Sequence, residues 1–335
     1  MNMTSIGDLA QSLVLRTRST QLKQSMATLT EELTTGRTSD ISGRLGGDYS
    51  YLADIERNLA RLDGFSLSAR EAAIFAGAAQ TNLEKLQAMT EGLSGSLISV
   101  TSSTIDPIRS HASAQARQDL DSALSALNAG VGGRSLFGGI ATDRAPLGSA
   151  DTLIAALRGA VTGQPTADAV IAAADAWFAD PAGFEATLYQ GSNQDLAPMQ
   201  VGPGQQVTLS MRADDPTFRA LLRDVALAAL ATDPALGFGA GLQSDLLRKT
   251  GEGLLATQDK VTGLRADLGF AEARIEEASA RNASARTGLE YARGALLEAD
   301  PYETATRLED VQFQLESLYA VTVRTSKLTL VNFLR

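Results

Sequence analysis

The side chains that could carry chemistry are few and isolated. His111 is the single histidine among 335 residues, and the chain has no cysteine. A metal site built on this histidine would need carboxylates three or four positions away on the same helix face, and none stands there. A Ser/His/Asp triad would have to use the same residue, and no Gly-x-Ser-x-Gly elbow accompanies it. We therefore predict a surface histidine, a chain that is not an enzyme, and no catalytic residue, metal site or cofactor.

Other polar and glycine-rich groups are interpreted as structural. The glycine-rich stretches 132–135 and 202–204 match neither a P-loop nor a dinucleotide fingerprint and are predicted turns. The glycosylation-type triplet at Asn282 falls within a predicted helix and is not expected to be used. Adjacent carboxylates point to different sides of a helix or turn, so we expect these pairs to be solvated: Glu31 and Glu32, Asp214 and Asp215, Glu276 and Glu277.

Composition favours long, closely packed helices. Hydrophobic residues make up 44% of the chain but aromatic residues only 5%, and alanine and leucine dominate. The net charge of −10 is scattered, without a basic cluster, which disfavours nucleic acid as a partner. No apolar run approaches the length of a membrane span, and the first eight residues lack the features of a cleaved signal peptide. We therefore expect neither membrane insertion nor a signal peptide.

The two ends of the sequence share one pattern. Neither glycine nor proline occurs between Gly7 and Gly36, or from Tyr302 to the end, and Asp300 and Pro301 form a typical helix start. Apolar residues at spacings of three, four and seven are typical of helices that pack against other helices. The N-terminal seam consists of Leu15, Leu22, Met26, Leu29 and Leu33. The C-terminal seam consists of Leu308, Val311, Leu315, Leu318, Val321, Leu328, Val331 and Leu334.

The placement of the two seams predicts their role. Each seamed helix lies behind a stretch rich in breakers, residues 36–47 at one end and Gly294 to Pro301 at the other. This symmetry predicts that the terminal helices pair with each other, and it makes the thirteen seam residues the candidate assembly interface. An apolar seam at helical spacing more often belongs to an internal core, so the linkers at both ends are what favours assembly.

The middle of the chain combines further helices with a small β-structure. Helices are predicted over residues 48–99, 115–127 and 242–297. Helical spacing returns over 151–178, and residues 216–231 form another helix. Residues 199–201 and the alternating stretch 206–211 flank a Gly-Pro-Gly turn, which predicts a β-hairpin.

Several motifs in this order resemble the bacterial flagellin superfamily. Residues 29–37 (LTEELTTGR) are similar to its N-terminal signature, and residues 58–64 (NLARLDG) to a segment of its next helix. Residues 264–276 (LRADLGFAEARIE) resemble its Arg-x-x-Leu-Gly-x-x-x-x-Arg-(Ile/Leu)-Glu stretch, and the segment from Ala299 to Leu318 resembles its last helix.

Two segments indicate a branch of that superfamily. Residues 133–146 (GRSLFGGIATDRAP) and the ending 328–334 (LTLVNFL) resemble the hook-filament junction proteins, also called hook-associated protein 3. Two features depart from the pattern: Ile41-Ser42-Gly43 follows Ser39-Asp40, and a helical insertion at about 151–186 precedes the Tyr189-x-Gly191 element.

The resemblance implies a mainly α fold, a long rod-like helical bundle with a small inserted α+β outer domain. The N- and C-terminal helices would pair as a coiled coil. The implied segments are 1–40 (N-terminal assembly helix), 41–145 (first half of the rod), 146–240 (outer domain), 241–299 (second half of the rod) and 300–335 (C-terminal assembly helix).

The resemblance also implies a structural subunit that joins the hook of the bacterial flagellum to its filament. Its partners would be copies of itself in a ring, a neighbouring hook-associated protein, flagellin and a cytoplasmic export chaperone. The subunit would be extracellular, exported by the flagellar secretion apparatus. Filament flagellin is the alternative within the superfamily. A cytoplasmic coiled-coil scaffolding or signalling module is the alternative from another class, which the paired ends disfavour.

Overall fold

The computed structural model describes residues 3–100 and 106–333, with side chains from residue 10 to residue 324. The described residues are mainly α-helical, as predicted, with four short strands. The helices are α1 (Met3–Thr35), α2 (Ile41–Leu45), α3 (Ser50–Val100), α4 (Asp106–Leu127), α5 (Ala150–Val161), α6 (Ala167–Ala179), α7 (Pro216–Leu230), α8 (Ala240–Leu297) and α9 (Pro301–Phe333), with a π-helical turn at Pro181–Glu185. The strands are β1 (Gly130–Val131), β2 (Arg134–Ser135), β3 (Met199–Gly202) and β4 (Gln205–Val207).

The long helices lie close to their predicted limits, and the differences are local. Helix α4 begins at Asp106, nine residues before the predicted start at residue 115. The predicted helical stretch 151–178 is two helices, because Gly163 adopts a positive φ of 77° and Thr166 caps α6 through the backbone N–H of Ala169. Strand β4 ends at Val207, short of the predicted residue 211.

The chain folds into two compact units. The first contains Met1–Leu62 and Ser284–Arg335, and the second contains Asp63–Ala283, so the division falls within α3 and within α8. Residues 146–240 therefore belong to the same unit as the helices that flank them in sequence. The predicted five-segment division groups these residues differently and stays a prediction.

Helix α7 lies in the core of the second unit. It packs against α4, where the Ser113 hydroxyl shares its one proton between the carbonyl oxygens of Ala228 and Ala229, at oxygen–oxygen distances of 2.7 and 2.8 Å. The ring of Phe218 is fully buried and meets the edge of Phe137 at a centroid distance of 5.8 Å. The inserted residues and α4 therefore share one hydrophobic core.

Helices α3 and α8 approach closely within the second unit. A Cβ at Gly251 would lie 3.0 Å from the side chain of Ile98 and 3.2 Å from that of Leu97, so glycine permits the approach. Farther along, Arg265 donates a hydrogen bond of 2.5 Å to Gln87. Interior glycines lower helix propensity, and in this case packing offsets the cost.

The β3–β4 hairpin is held on α8 by side chains of that helix. The side-chain amide of Asn282 donates to the carbonyl oxygen of Val201 at 2.8 Å, and Arg274 donates to that of Gln206 at 2.9 Å. Asn282 is 3% exposed. This contact gives Asn282 a structural role within α8.

Two of the expected solvated carboxylates are structural instead. Asp214 is buried and accepts a hydrogen bond of 2.7 Å from Arg212. Asp215 caps α7 by accepting from the backbone N–H of Thr217 at 2.7 Å. The expectation of a solvated pair is therefore wrong here, because the turn before α7 brings Asp214 against Arg212 and places Asp215 at the start of the helix.

We expect Phe218→Ala to destabilise the second unit by about 3–5 kcal/mol, because it removes a fully buried ring from the shared core. Phe270→Ala is the matched control, since the Phe270 ring is 70% exposed on α8, and it should change stability by about 0.5 kcal/mol or less. Urea unfolding followed by the fluorescence of Trp177, the single tryptophan, measures both. Equal effects of the two substitutions would contradict the shared core.

Candidate assembly interface

The first unit contains both terminal helices. Helix α1 is followed by Gly36, which has a positive φ of 68°. Helix α9 begins at Pro301 as predicted, with Asp300 as its cap: the Asp300 Oδ1 atom accepts from the backbone N–H groups of Tyr302 at 2.9 Å and Glu303 at 3.1 Å. Both limits thus follow from local sequence.

The segments that join the terminal helices to the rest of the unit pair with each other. The backbone N–H of Thr38 donates to the carbonyl oxygen of Leu297 at 2.9 Å, and the backbone N–H of Ala299 donates to that of Gly36 at 3.0 Å. We call residues 36–38 and 297–299 the linker bridge. Because of the bridge, the end of α1 and the start of α9 lie side by side.

Glu32 stabilises the same region. Its carboxylate is buried and accepts hydrogen bonds from the backbone N–H of Ser39, at 2.6 Å, and from the Ser39 hydroxyl. The sequence predicts a solvated Glu32, and this prediction is wrong because the chain reverses after Gly36 and returns Ser39 to the helix. The preceding residue, Glu31, is exposed.

Helices α1 and α9 pack against each other. Arg18 donates to the side-chain oxygen of Gln314 at 3.4 Å, and the Lys23 ammonium lies 5.8 Å from the centre of the Tyr319 ring. Hydrogen bonds from Lys23 and Ser19 lower the pKa of Tyr319. Since the linker bridge joins the C-terminal end of α1 to the N-terminal end of α9, these contacts make the pair antiparallel.

Each helix presents part of its seam to the other. Leu22 is 6% exposed and Leu315 is 9% exposed, and they are the two buried residues among the described side chains of the seams. Leu22 and Leu318 line the same groove between the helices. The half-buried seam residues are Leu15, Met26, Leu29, Leu308, Val311 and Leu318.

The remaining seam residues are not buried by the pair. Leu33 and Val321 are exposed. Leu328 and Val331 lie in α9 but outside the residues with described side chains, and Leu334 lies outside the described residues. The pairing therefore buries the centre of both seams and leaves Leu33 and Val321 uncovered.

Large apolar side chains outside the seams are exposed on both helices. Phe313 on α9 is 71% exposed, and Leu13, Val14 and Val323 are also exposed. Their positions do not follow the seam spacing, so a search for one apolar stripe does not find them. These residues could have been found by searching both helices for large apolar residues at positions outside the seams.

The first unit also buries one face of α3. Ile55, Leu59 and Leu62 are buried, and Arg293 of α8 donates to the carboxylate of Glu56 at 3.3 Å. The terminal pair is therefore part of a unit that has its own apolar contacts, although most of the buried side chains of the chain belong to the second unit.

The Leu-Phe-Gly-Gly motif, residues 136–139, lies in the second unit and is mostly internal. The ring of Phe137 is fully buried, and the backbone carbonyl oxygen of this residue accepts a hydrogen bond from the backbone N–H of Ala213 at 2.8 Å. Gly139 has a φ of 61°, and a Cβ there would overlap the carbonyl oxygen of Gln194. The motif therefore joins three segments that are distant in sequence by close backbone contact.

The described residues hold no group of three or more metal-ligating side chains, and His111 lies exposed on α4. No helix in the described part of the chain is both long and apolar enough to cross a lipid bilayer.

One part of the chain matches a known family in sequence, and most of the chain is similar in fold to a solved structure. The bacterial flagellin C-terminal helical region matches residues 256–334. The fold is similar to a solved structure described as a flagellar hook-associated protein from Vibrio parahaemolyticus, with a TM-score of 0.51 and 14% identity. That similarity covers 75% of this chain and 99% of the other. No curated protein matches the sequence.

The matched region contains α9 and most of α8, which include the C-terminal seam and the residues that hold the β3–β4 hairpin. Residues 256–334 thus match the C-terminal region of bacterial flagellin, and the fold of the chain resembles that of a flagellar hook-associated protein, as the sequence motifs predict.

Proposed function

We propose that this chain is a non-enzymatic structural subunit of the bacterial flagellum that joins the hook to the filament. The observation that carries the proposal is the antiparallel pair of terminal helices, which leaves large apolar side chains exposed in a chain with a flagellin C-terminal region. Paired terminal helices with uncovered apolar residues suit a subunit whose neighbours complete its packing.

Assembly follows from the geometry of the pair. Two helices that face each other each bury one stripe, and apolar residues that the pairing does not cover, such as Phe313 and Val14, remain in water. Contact with a neighbouring copy would remove this apolar area from water, which favours association by about 25 cal/mol per Å² of apolar surface before the entropy cost of binding. The thirteen seam residues and these uncovered residues together form the proposed assembly surface.

Two sequence segments and the fold support a role at the hook-filament junction over the role of filament flagellin. Residues 133–146 and 328–334 resemble junction proteins, and the compared structure is described as a hook-associated protein. Filament flagellin is the alternative within the superfamily, and residues 256–334, which match a flagellin region, are compatible with both.

The proposal includes the location and the partners. The subunit would pass through the flagellar secretion apparatus, bound beforehand by a cytoplasmic export chaperone that covers its apolar ends. Outside the cell, copies would form a ring between a neighbouring hook-associated protein and flagellin. A cytoplasmic coiled-coil scaffold is the alternative from another class, and it would be retained inside the cell.

Deleting the gene for this chain distinguishes these roles. We expect cells with hooks but no filaments, and flagellin shed into the medium, seen by negative-stain microscopy and by immunoblotting of the culture supernatant. Expression of the full chain should restore filaments. Filaments that stay attached in the deletion strain would contradict the junction role, and retention of the protein in the cytoplasm of flagellated cells would favour the scaffold.

Leu315→Asp tests the terminal pair. The substitution places a carboxylate at a buried position without a partner, which costs several kcal/mol, and we expect it to abolish filament attachment and motility. Gln312→Asp, at an exposed position on the same helix, should leave motility intact. Swimming in soft agar and microscopy of shed filaments measure the effect.

The same variant should leave the second unit folded, since Leu315 lies in the first unit and Trp177 in the second. The urea midpoint reported by Trp177 should therefore match that of the unmodified protein. Normal motility of Leu315→Asp would remove the residue from the assembly surface. A fall in the Trp177 midpoint as large as that of Phe218→Ala would show instead that the substitution unfolds the whole chain.

A further inference from the structure

Helix α3 exposes an uncharged stripe on the side opposite to its core contacts. Its buried residues in the second unit recur every seven positions, as at Ala69, Ala76 and Leu83. Uncharged residues recur with the same spacing on the opposite face, and we call them the α3 stripe: Leu67, Ile74, Thr81 and Ala88. All four are exposed, Leu67 and Ile74 by 60% each. The outer face of a solvated helix is normally charged or polar, and exposed large apolar residues mark contact surfaces.

Two pairs of oppositely charged residues flank the α3 stripe. The first pair is Arg70 and Glu71, and the second is Glu84 and Lys85. Consecutive residues of an α-helix are about 100° apart, so the two members of each pair lie on opposite sides of the stripe. One flank therefore carries Arg70 and Glu84, and the other carries Glu71 and Lys85. All four side chains are exposed, and none of them forms an ion pair within the described residues.

The order of these charges makes the face complementary to a parallel copy of itself. When two copies of α3 lie side by side in register, about a two-fold axis parallel to the helices, each flank faces the opposite flank of the second copy. Arg70 then lies opposite Glu71 of the second copy, and Glu84 lies opposite Lys85. In an antiparallel pair each flank would face the same flank, and these oppositely charged partners would lie on different sides of the contact.

Small residues at the centre of the face permit close packing. Gly77 and Ala78 take the two flanking positions between the charged pairs, and the space beside Gly77 is open. A second helix can therefore approach the stripe at this point, so that the Ile74 and Thr81 side chains of the two copies pack on each other.

We propose that the second unit binds a second copy of this chain through the α3 stripe, as a parallel dimer with the two α3 helices in register. A two-fold contact is closed by two copies, whereas neighbours in a ring meet through unlike surfaces. The dimer is therefore an association of the free subunit, and it is independent of the junction role proposed for the terminal helices.

Single cysteines test the register of the dimer, because the chain contains no cysteine of its own. Under mild oxidation, Thr81→Cys should form a disulfide between two copies, since the two-fold axis places this position beside its equivalent. Leu255→Cys, at an exposed leucine of α8, is the control and should remain monomeric on non-reducing gels. Faster crosslinking between Leu67→Cys and Ile74→Cys proteins than within either one would show a staggered or antiparallel contact and overturn the proposal.

Charge exchange tests the electrostatic complementarity. Sedimentation velocity over a range of concentrations should show a monomer–dimer equilibrium for the unmodified protein. Arg70→Glu should weaken the dimer about tenfold, because it turns two attractions into two repulsions. Combining it with Glu71→Arg exchanges the two charges and should restore the affinity. A double variant that stays as weak as Arg70→Glu, or an unmodified protein that is monomeric throughout, would overturn the proposal.

Three further variants separate this contact from folding and from the terminal helices. Ile74→Asp should abolish the dimer and Leu255→Asp should keep it, and both should retain the urea midpoint reported by Trp177, since the replaced side chains are exposed. Leu315→Asp should dimerise like the unmodified protein, because Leu315 lies in the first unit. A dimer that persists in Ile74→Asp, or one that is lost in Leu315→Asp, would place the contact elsewhere and reject the α3 stripe.

Discussion

Close approach of long helices through small side chains is the constraint on which the second unit depends. Beyond Leu62, helix α3 buries alanines at positions 69, 72, 76 and 79 before it buries Leu83 and Leu86. Gly251 of α8 lies against the side chains of Leu97 and Ile98. With little aromatic volume available, the helices must lie near each other along their length for their apolar faces to leave water. Gly251, which weakens an isolated helix, is therefore favoured at this contact once the helices pack.

The limits of the long helices could be predicted from sequence because they depend on neighbouring residues. Gly36 and Asp300 act within one turn of the chain, and the seam spacing that identifies Leu22 and Leu315 is equally local. The burial of Glu32 could not be predicted in this way, because it depends on Ser39 returning to the helix after a turn. The exposure of the Phe313 ring could not be predicted either. The seam spacing identifies the residues of one helix face, and Phe313 does not follow that spacing.

The motif that indicated the junction branch has a mainly architectural explanation. Phe137 fills the core beside Phe218, and Gly139 allows the backbone of residues 192–194 to lie directly against it. A larger residue at position 139 would separate these segments, and this effect does not depend on contacts with other subunits. The resemblance in this motif therefore reflects how the inserted residues close on α4 and α7, and the proposed assembly surface lies elsewhere, on α1 and α9.

The hydrogen bond between Asn282 and Val201 has a consequence for modification of the chain. An oligosaccharyltransferase must reach the side-chain nitrogen of the asparagine in an Asn-x-Ser triplet, and this nitrogen is buried and already donates to a carbonyl oxygen at 2.8 Å. A glycan could be attached there only before the β3–β4 hairpin docks on α8, and once attached it would keep the hairpin from docking. Sugar at this position would therefore mark chains that have never completed the second unit.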